Sequence, residues 1–259
     1  MILIVAILPK SLLVNLLHMR RGRPTTHPNS LYTALAEAAY LTGIERNSDV
    51  VKMISYAPLL ARVGVVQWTP DLIWFDSHQV MFSPNYYTYQ MFSNYIGNKD
   101  LFSELDASIN LHHSVTIDEN KKEIYIKVVN VEDEPTTLEI KFNQFETLTS
   151  QAEYIVLTHE HLHAVNTFEA PLNVSPQTSI LEVNEDDATI EVPQHSAVLL
   201  RLGYDDSASI AGVLPTSQTN PKSSSIPNVI LVAGSVITVV LITQIGLALN
   251  NKKTKSRGI

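Results

Sequence analysis

Between residues 99 and 203 the chain is a succession of short β-branched and aromatic runs, each closed by a polar turn, and this pattern limits the fold more than any other feature. "SINLHHSVTI" gives way to the turn "DENKKE", followed by "IYIKVVNV", "TTLEIKF", "EYIVLT", "ATIEV" and "SAVLLRL". Such runs are too short for stable helices, whose nucleation is costly, and their residue types suit a pleated, half-buried surface. An antiparallel β-sandwich of about seven strands is the predicted result.

Residues 30–98 follow a different pattern. "SLYTALAEAAYLTG" places Leu31, Leu35, Ala38 and Thr42 on one stripe, with Ser30 as N-cap and Gly43 at the C-terminal cap, which predicts a helix. "DVVKMISYAPLL" (49–60) and "DLIWFD" (71–76) read as strands, and "SPNYYTYQMFSNYI" (83–96) as a helix opened by proline. Helix and strand alternate here, so an α/β unit precedes the sandwich.

The C-terminal part adds a third kind of segment. Val229 to Leu249 carries no charged residue and reads as a transmembrane helix, roughly 30 Å long at 1.5 Å per residue. Residues 204–228 are rich in Ser, Thr, Pro and Asn, as expected of a flexible stalk. The tail 250–259 holds Lys252, Lys253, Lys255 and Arg257, which places it in the cytoplasm and the body of the protein outside, in a single-pass arrangement. The first 29 residues are apolar, then basic ("HMRRGRP"), and lack the small-residue cleavage site of a signal peptide. As a signal anchor they would impose the opposite orientation, a conflict that an upstream start would remove.

Composition closes off several functions. The chain of 259 residues has no cysteine, which excludes disulfides, thiolate metal sites and cysteine nucleophiles. With four of its 18 basic residues in the tail, 14 remain against 26 acids, so the body repels phosphate backbones and nucleic acid is not an expected partner. "THEHLHAV" (158–165) contains His159, Glu160 and His163 in the order H-E-x-x-H, which binds zinc when a helix sets both histidines on one face. Here a β-branched run precedes it and a turn-rich one follows, so a strand end or loop is predicted and no metal site is assigned.

Two stretches, "LYTALAEAAYLTGIERNSDVVKMISYAPLL" (31–60) and "WTPDLIWFDSHQVMFSPNYYTYQMFSNYIG" (68–97), resemble the C-terminal half of the α-L-arabinofuranosidases of glycoside hydrolase family 51. "IYIKVVNVEDEPTTLEIKF", "NTFEAPLNVSP" and "HSAVLLRL" are similar to the same family in order and spacing, so the resemblance covers about residues 31–202. It implies the end of a (β/α)₈ barrel over 30–98, about its last two βα units, followed by a β-sandwich over 99–203. It also implies a retaining glycosidase acting on arabinose-containing polysaccharide, with no metal or organic cofactor. Retention needs two opposed carboxyl groups about 5–5.5 Å apart. The family's acid/base glutamate falls upstream of anything matched, and its nucleophile falls on a strand whose place is taken by "LLVNLLHMRRGRPTTHPNS", which has no Asp or Glu. Neither catalytic residue carries over, and this stretch of chain alone is expected to be inactive.

Other residues are candidates for lesser roles. Trp68 offers an apolar platform for a sugar, and Asp71 and Asn85 are candidate substrate-binding groups. Glu37, Asp71 and Asp76 are the carboxylates to test as substitutes for the missing pair, with capping and rim hydrogen bonding as the alternative. Tyr86 and Tyr87 read as structural. Asn173, in "NVS", is a glycosylation acceptor compatible with an exported body, although Pro176 follows. A non-catalytic tethered sandwich that binds carbohydrate or protein is the competing reading of the whole.

Overall fold

A computed structural model describes residues 29–66, 69–106, 109–143, 145, 147–184, 187–205 and 228–233. Helix α1 spans Leu31–Glu45 and buries Leu31, Ala34, Leu35, Ala38, Leu41, Thr42 and Glu45, the predicted stripe extended at both flanks. It runs two residues past Gly43, which therefore lies inside the helix instead of capping it. Ser30 does stand at the N-cap, in extended backbone, but caps without its hydroxyl: its Oγ has no partner, while its N–H donates to Thr33 Oγ1 at 3.0 Å. The first helical N–H groups are satisfied from afar, Leu31 donating to Ala164 O at 2.9 Å and Tyr32 to Leu162 O at 2.8 Å. The H-E-x-x-H stretch is the source of one of these carbonyls; it is a non-helical loop after a strand, so its histidines do not share a helix face.

The predicted strand over 49–60 is largely absent. Turns occupy the start of this segment and an irregular course follows, with only Leu60–Arg62 (β1) in a ladder. A strand needs a neighbour for its N–H and C=O groups, and among the described residues β1 has one on a single side, the parallel β2 (Ile73–Phe75). β2 in turn pairs antiparallel with β3 (Val80–Phe82). Their connection is set by Asp76, whose Oδ1 accepts from His78 N–H at 2.7 Å and Gln79 N–H at 2.9 Å. Helix α2 (Pro84–Asn94) follows with proline in its first turn and Ser83 Oγ accepting from Tyr86 N–H at 3.2 Å.

The sandwich is built from β4 (Lys99–Asp100), β5 (Ser103–Leu105), β6 (His112–Asp118), β7 (Glu123–Asn130), β8 (Thr136–Asn143), β9 (Thr147–Thr158), β10 (Gln177–Glu182), β11 (Asp187–Val192), β12 (Ser196–Asp205) and β13 (Asn228–Ala233). One sheet has the order β10-β9-β12-β7-β6-β4 and the other β11-β8-β13-β5. Ile124, Ile126, Val128, Val198 and Leu200 of the first sheet meet Leu138, Ile140, Ile190, Val229 and Leu231 of the second in one core.

The sequence pattern of each strand follows from what covers it. In β8 and β11 buried and exposed positions alternate, because the outer face of their sheet meets solvent. In β7 and β12 burial is nearly continuous, because α1 and α2 lie on the outer face of the six-stranded sheet. Leu31, Leu35, Leu41, Met91 and Phe92 pack there against Val129, Ile155, Leu157 and Leu199 in a second core. Within this packing Lys127, 1% exposed, places Nζ 2.5 Å from Glu45 Oε1 and donates to Tyr95 O at 2.7 Å, while Ser114 Oγ donates to Glu45 Oε2 at 2.6 Å. Asn166 makes a second polar tie, donating from Nδ2 to Phe82 O at 2.8 Å and Val174 O at 3.0 Å, and accepting from Val174 N–H at 2.7 Å.

The C-terminal expectations change in part. Tyr204 and Asp205, expected in the stalk, end β12, and Asn228 begins β13. Val229–Ala233, expected to open a membrane helix, pair antiparallel with β8, and Val229–Leu231 also pair parallel with β5. Their apolar side chains fit a sheet core as well as lipid: Val229 and Leu231 are both 0% exposed. The remainder of the stalk, residues 234–249 of the span, the tail 250–259, residues 1–28 and Trp68 lie outside the described residues. Among the described residues no helix is long and apolar enough to cross a membrane.

Candidate functional site

The start of α1, the entry to β2 and the start of α2 meet in one polar cluster. Asn29 donates from Nδ2 to Asp71 O at 2.6 Å and to Ser83 Oγ at 3.2 Å, and Ser83 Oγ lies 2.8 Å from Leu72 O. Asn85 Oδ1 is 3.0 Å from Thr33 Oγ1, and Thr88 Oγ1 donates to Ala34 O at 3.2 Å. These bonds join the two helices and fix the strand entry between them. Asn29, Asp71 and Asn85 are 4%, 2% and 0% exposed.

The cluster also holds an unusual number of unpaired atoms. Asn29 Oδ1, Ser30 Oγ, Glu37 Oε2, Asp71 Oδ2 and Asn85 Nδ2 are shielded from solvent and have no hydrogen-bond partner. Leaving such an atom without a partner costs about 1–3 kcal/mol, and native folds keep them few, so this concentration calls for an explanation. Tyr56 and Tyr89 pack edge to face here at 5.2 Å. Burial first, and the Glu37 charge second, raise both phenols above their ordinary range. Burial pushes the Glu37 carboxyl up to about 7, opposed by the Asn85 amide, and burial raises Asp71 as well.

Of the residues that sequence analysis singled out, Glu37, Asp71 and Asn85 therefore come together, with their functional groups turned into the packing. Asp76 stands apart: the N–H groups of His78 and Gln79 hold its carboxylate below the usual range and commit it to the β2–β3 turn. Tyr86 stacks on Phe82 at 4.2 Å, and Tyr87 meets both rings edge-on, so both are packing groups. Trp74 Nε1 donates to Asp71 O at 3.1 Å. Asn173 is exposed, and its Nδ2, the atom a glycan would take, donates to Val165 O at 3.0 Å.

Sequence reasoning missed Asn29, Tyr56, Asn166 and the Glu45–Lys127 pair. One signal was present for the last of these, since Lys127 interrupts an otherwise apolar run in "IYIKVVN". A lone cation inside a buried strand requires a buried partner.

A two-sheet sandwich thus carries an α/β unit on its larger sheet, with a buried polar cluster inside that unit. The family profile described as "Alpha-L-arabinofuranosidase C-terminal domain" matches residues 16–196. Alpha-L-arabinofuranosidase 1 of Arabidopsis thaliana is 32% identical over 203 residues, which are 76% of this chain and 30% of that protein. Alpha-L-arabinofuranosidase A of Aspergillus niger is 31% identical over 171 residues, 64% of this chain and 26% of that one. An arabinose-bound family 51 α-L-arabinofuranosidase superposes with a TM-score of 0.64 at 33% identity, covering 68% of this chain and 28% of the other. The chain belongs to the family 51 α-L-arabinofuranosidases and corresponds to their C-terminal part. It spans less than a third of the length of these relatives.

Proposed function

We propose that residues 30–98 are the end of a (β/α)₈ barrel, 99–203 its companion sandwich, and the whole chain the C-terminal part of a retaining α-L-arabinofuranosidase. Its reaction is hydrolysis of terminal arabinofuranosyl residues of polysaccharides, carried out when the rest of the barrel is present. The observation that carries this reading is the unfinished edge at β1. Leu60, Val63 and Val65 are 58%, 47% and 69% exposed at a strand that, among the described residues, has a ladder partner on one side only. Exposed apolar edges of this kind invite further strands, and a barrel supplies them by closure. Because Asp76 caps a turn and Asp71 and Glu37 point into the packing, the acid/base and the nucleophile are assigned to barrel strands outside this stretch. Trp68, Asp71 and Asn85 remain the candidate sugar-binding groups, with Asp71 and Asn85, 2% and 0% exposed, acting from behind by holding the rim in place.

The test is arabinose release from an aryl α-L-arabinofuranoside. The 259-residue chain should be inactive alone and active when joined in one polypeptide to the upstream barrel of the Arabidopsis relative. Turnover by the chain alone sinks the requirement for that barrel, and a folded but inactive fusion sinks the enzyme reading.

The alternative, a tethered lectin-like sandwich, finds less support. The outer faces of β8 and β11 present Thr137, Glu139, Lys141, Thr189 and Glu191, none of them an aromatic ring on which a sugar would stack. Membrane anchoring through 229–249 competes with β13 for the same residues. Residues 234–249 alone would reach roughly 24 Å, short of the roughly 30 Å of hydrocarbon. An anchored form therefore requires β13 to leave its sheet.

A further inference from the structure

Strand β10 ends the six-stranded sheet, paired with β9 on one side and, among the described residues, with no strand on the other. Val183 N–H donates to Ser150 O at 2.9 Å, in register with the ladder between the two strands. Bonded and non-bonded pairs alternate along antiparallel strands, so Gln177, Ser179 and Leu181 direct their backbone groups to β9. The N–H and C=O groups of Thr178, Ile180 and Glu182 therefore point to the open side. Ile180 stands opposite Glu153 in the ladder and is 59% exposed, whereas Leu181 turns to the inner core.

Natural sheet edges are blunted by charge, proline, bulges or shortness, and the other edges of the sandwich follow that rule. β4 has only Lys99 and Asp100, β5 has Glu104 at its centre, and β11 carries Asp187 and Glu191. β10 has no charge or proline before its last residue, and its register with β9 runs without a shift. It is an edge left open to pairing.

We propose that β10 pairs antiparallel with β10 of a second copy of this chain, about a two-fold axis at Ile180, joining the two larger sheets into one. A second copy fits because the strand complements itself. With Ile180 opposite Ile180, Thr178 lies opposite Glu182, and the residues whose backbone groups face outward on one strand meet the same residues on the other. This register makes about six backbone hydrogen bonds and sets the two Ile180 side chains against each other on one face. Each Glu182 carboxylate, which already accepts from Gln151 Nε2 at 3.0 Å, gains a threonine hydroxyl beside it. The two Glu182 charges stand roughly 13 Å apart at about 3.4 Å per residue, beyond the roughly 8 Å Debye length of physiological salt. The same operation on β11 about Thr189 would set Asp187 opposite Glu191, acid against acid. One strand pair is short of a standard interface, so the dimer exchanges with monomer as concentration changes.

The chain has no cysteine, so single cysteines report the register without background. Residues paired across the axis lie about 5.5 Å apart between Cα atoms, whereas two copies of residue 178 lie roughly 13 Å apart. With a bis-maleimide too short to bridge the longer gap, Ile180→Cys in the full chain should cross-link to a dimer. Thr178→Cys alone should yield roughly tenfold less, and an equimolar mixture of Thr178→Cys and Glu182→Cys should cross-link again. Sedimentation velocity of the wild type should show monomer–dimer exchange, shifted roughly tenfold toward monomer in Ile180→Lys, which sets two ammonium groups face to face. Equal cross-linking of Ile180→Cys and Thr178→Cys overturns the proposal. Association that persists unchanged in Ile180→Lys does so too, since it would then run through another surface such as β1. A wild type that stays monomeric, with no Ile180→Cys dimer, is equally fatal, and the cysteine variants decide even if Ile180→Lys fails to fold.

Discussion

The Lys127 ammonium lies 2.5 Å from the Glu45 carboxylate inside the seam between helix α1 and the six-stranded sheet. The side chains are 2% and 9% exposed, so water contributes little to either charge. Burial lowers the proton affinity of Lys127 and Glu45 opposes that shift. Three further groups complete the site: the Tyr95 carbonyl, the Ser114 hydroxyl and the face of Phe92, whose centroid is 5.1 Å from Nζ. Such a pair adds little net stability over a well-packed apolar substitute, yet it fixes which face of α1 meets which strand.

Removing one partner is therefore predicted to cost far more than removing both. Lys127→Met should destabilise the chain by about 3–5 kcal/mol because Glu45 is left buried and uncompensated, whereas Lys127→Met with Glu45→Leu should recover most of that loss. Urea unfolding of the two variants and the wild type measures the difference. Equal losses in the single and double variants would show that the charges are solvated and the seam is open.

The helices and the sandwich should also unfold as one unit. Leu199 points to the helices and Leu200 to the inner core, and both are 0% exposed. Truncating either to alanine is expected to cost about 2–5 kcal/mol. If α1 and α2 were loosely attached, Leu199→Ala would cost well under 1 kcal/mol while Leu200→Ala kept its full effect. Denaturant midpoints for the pair decide this.

The seam explains what was legible in the sequence. The alternation in "TTLEIKF" and "ATIEV" could be read because one face of those strands meets water, and periodicity reports that contrast. Helix α1 was legible from its apolar stripe and α2 from its Ser-Pro start. Continuous burial in "IYIKVVN" and "SAVLLRL" identified strands without revealing what covered them, since an apolar run looks the same under a helix or a second sheet. The strand predicted over 49–60 failed because apolar, β-branched residues were present and a pairing neighbour was not. Strand β13 was read as lipid-facing for a related reason: six residues of a sheet core and the first turns of a membrane helix have the same composition. In the polar cluster, Glu37, Asp71 and Asn85 drew notice by residue type, while Asn29 and Tyr56 reach it only through the fold.

Gly97, at the exit of α2 toward β4, should not tolerate a side chain. A β-carbon there would stand 2.6 Å from Ile117 O and 2.7 Å from Ile117 N, backbone atoms that the pairing of β6 with β4 and β7 holds in place. Gly97→Ala is predicted to cost about 1–3 kcal/mol by overpacking. Gly43→Ala serves as the comparison, since nothing lies within 4 Å of its added carbon and the helix gains propensity, about 1 kcal/mol in favour. Thermal midpoints should move in opposite directions for the two variants, and a shared direction would contradict the close approach at Ile117.

Residues 228–233 lie in the sheet or in the membrane, and Leu231 distinguishes the two destinations. In the sheet Leu231 is 0% exposed, pairs with Ile140 of β8 and Leu105 of β5, and joins the inner core. Leu231→Ala should then lower the unfolding free energy of the water-exposed body by about 2–5 kcal/mol. In a lipid-facing helix the same change would leave the body untouched, because Leu and Ala both remain in hydrocarbon and neither touches the sandwich. Urea unfolding in detergent-free buffer, followed by tyrosine fluorescence of the sandwich, reads the difference directly. A change within about 0.5 kcal/mol, the range of surface substitutions away from any contact, would remove β13 from the sheet and return the segment to the membrane.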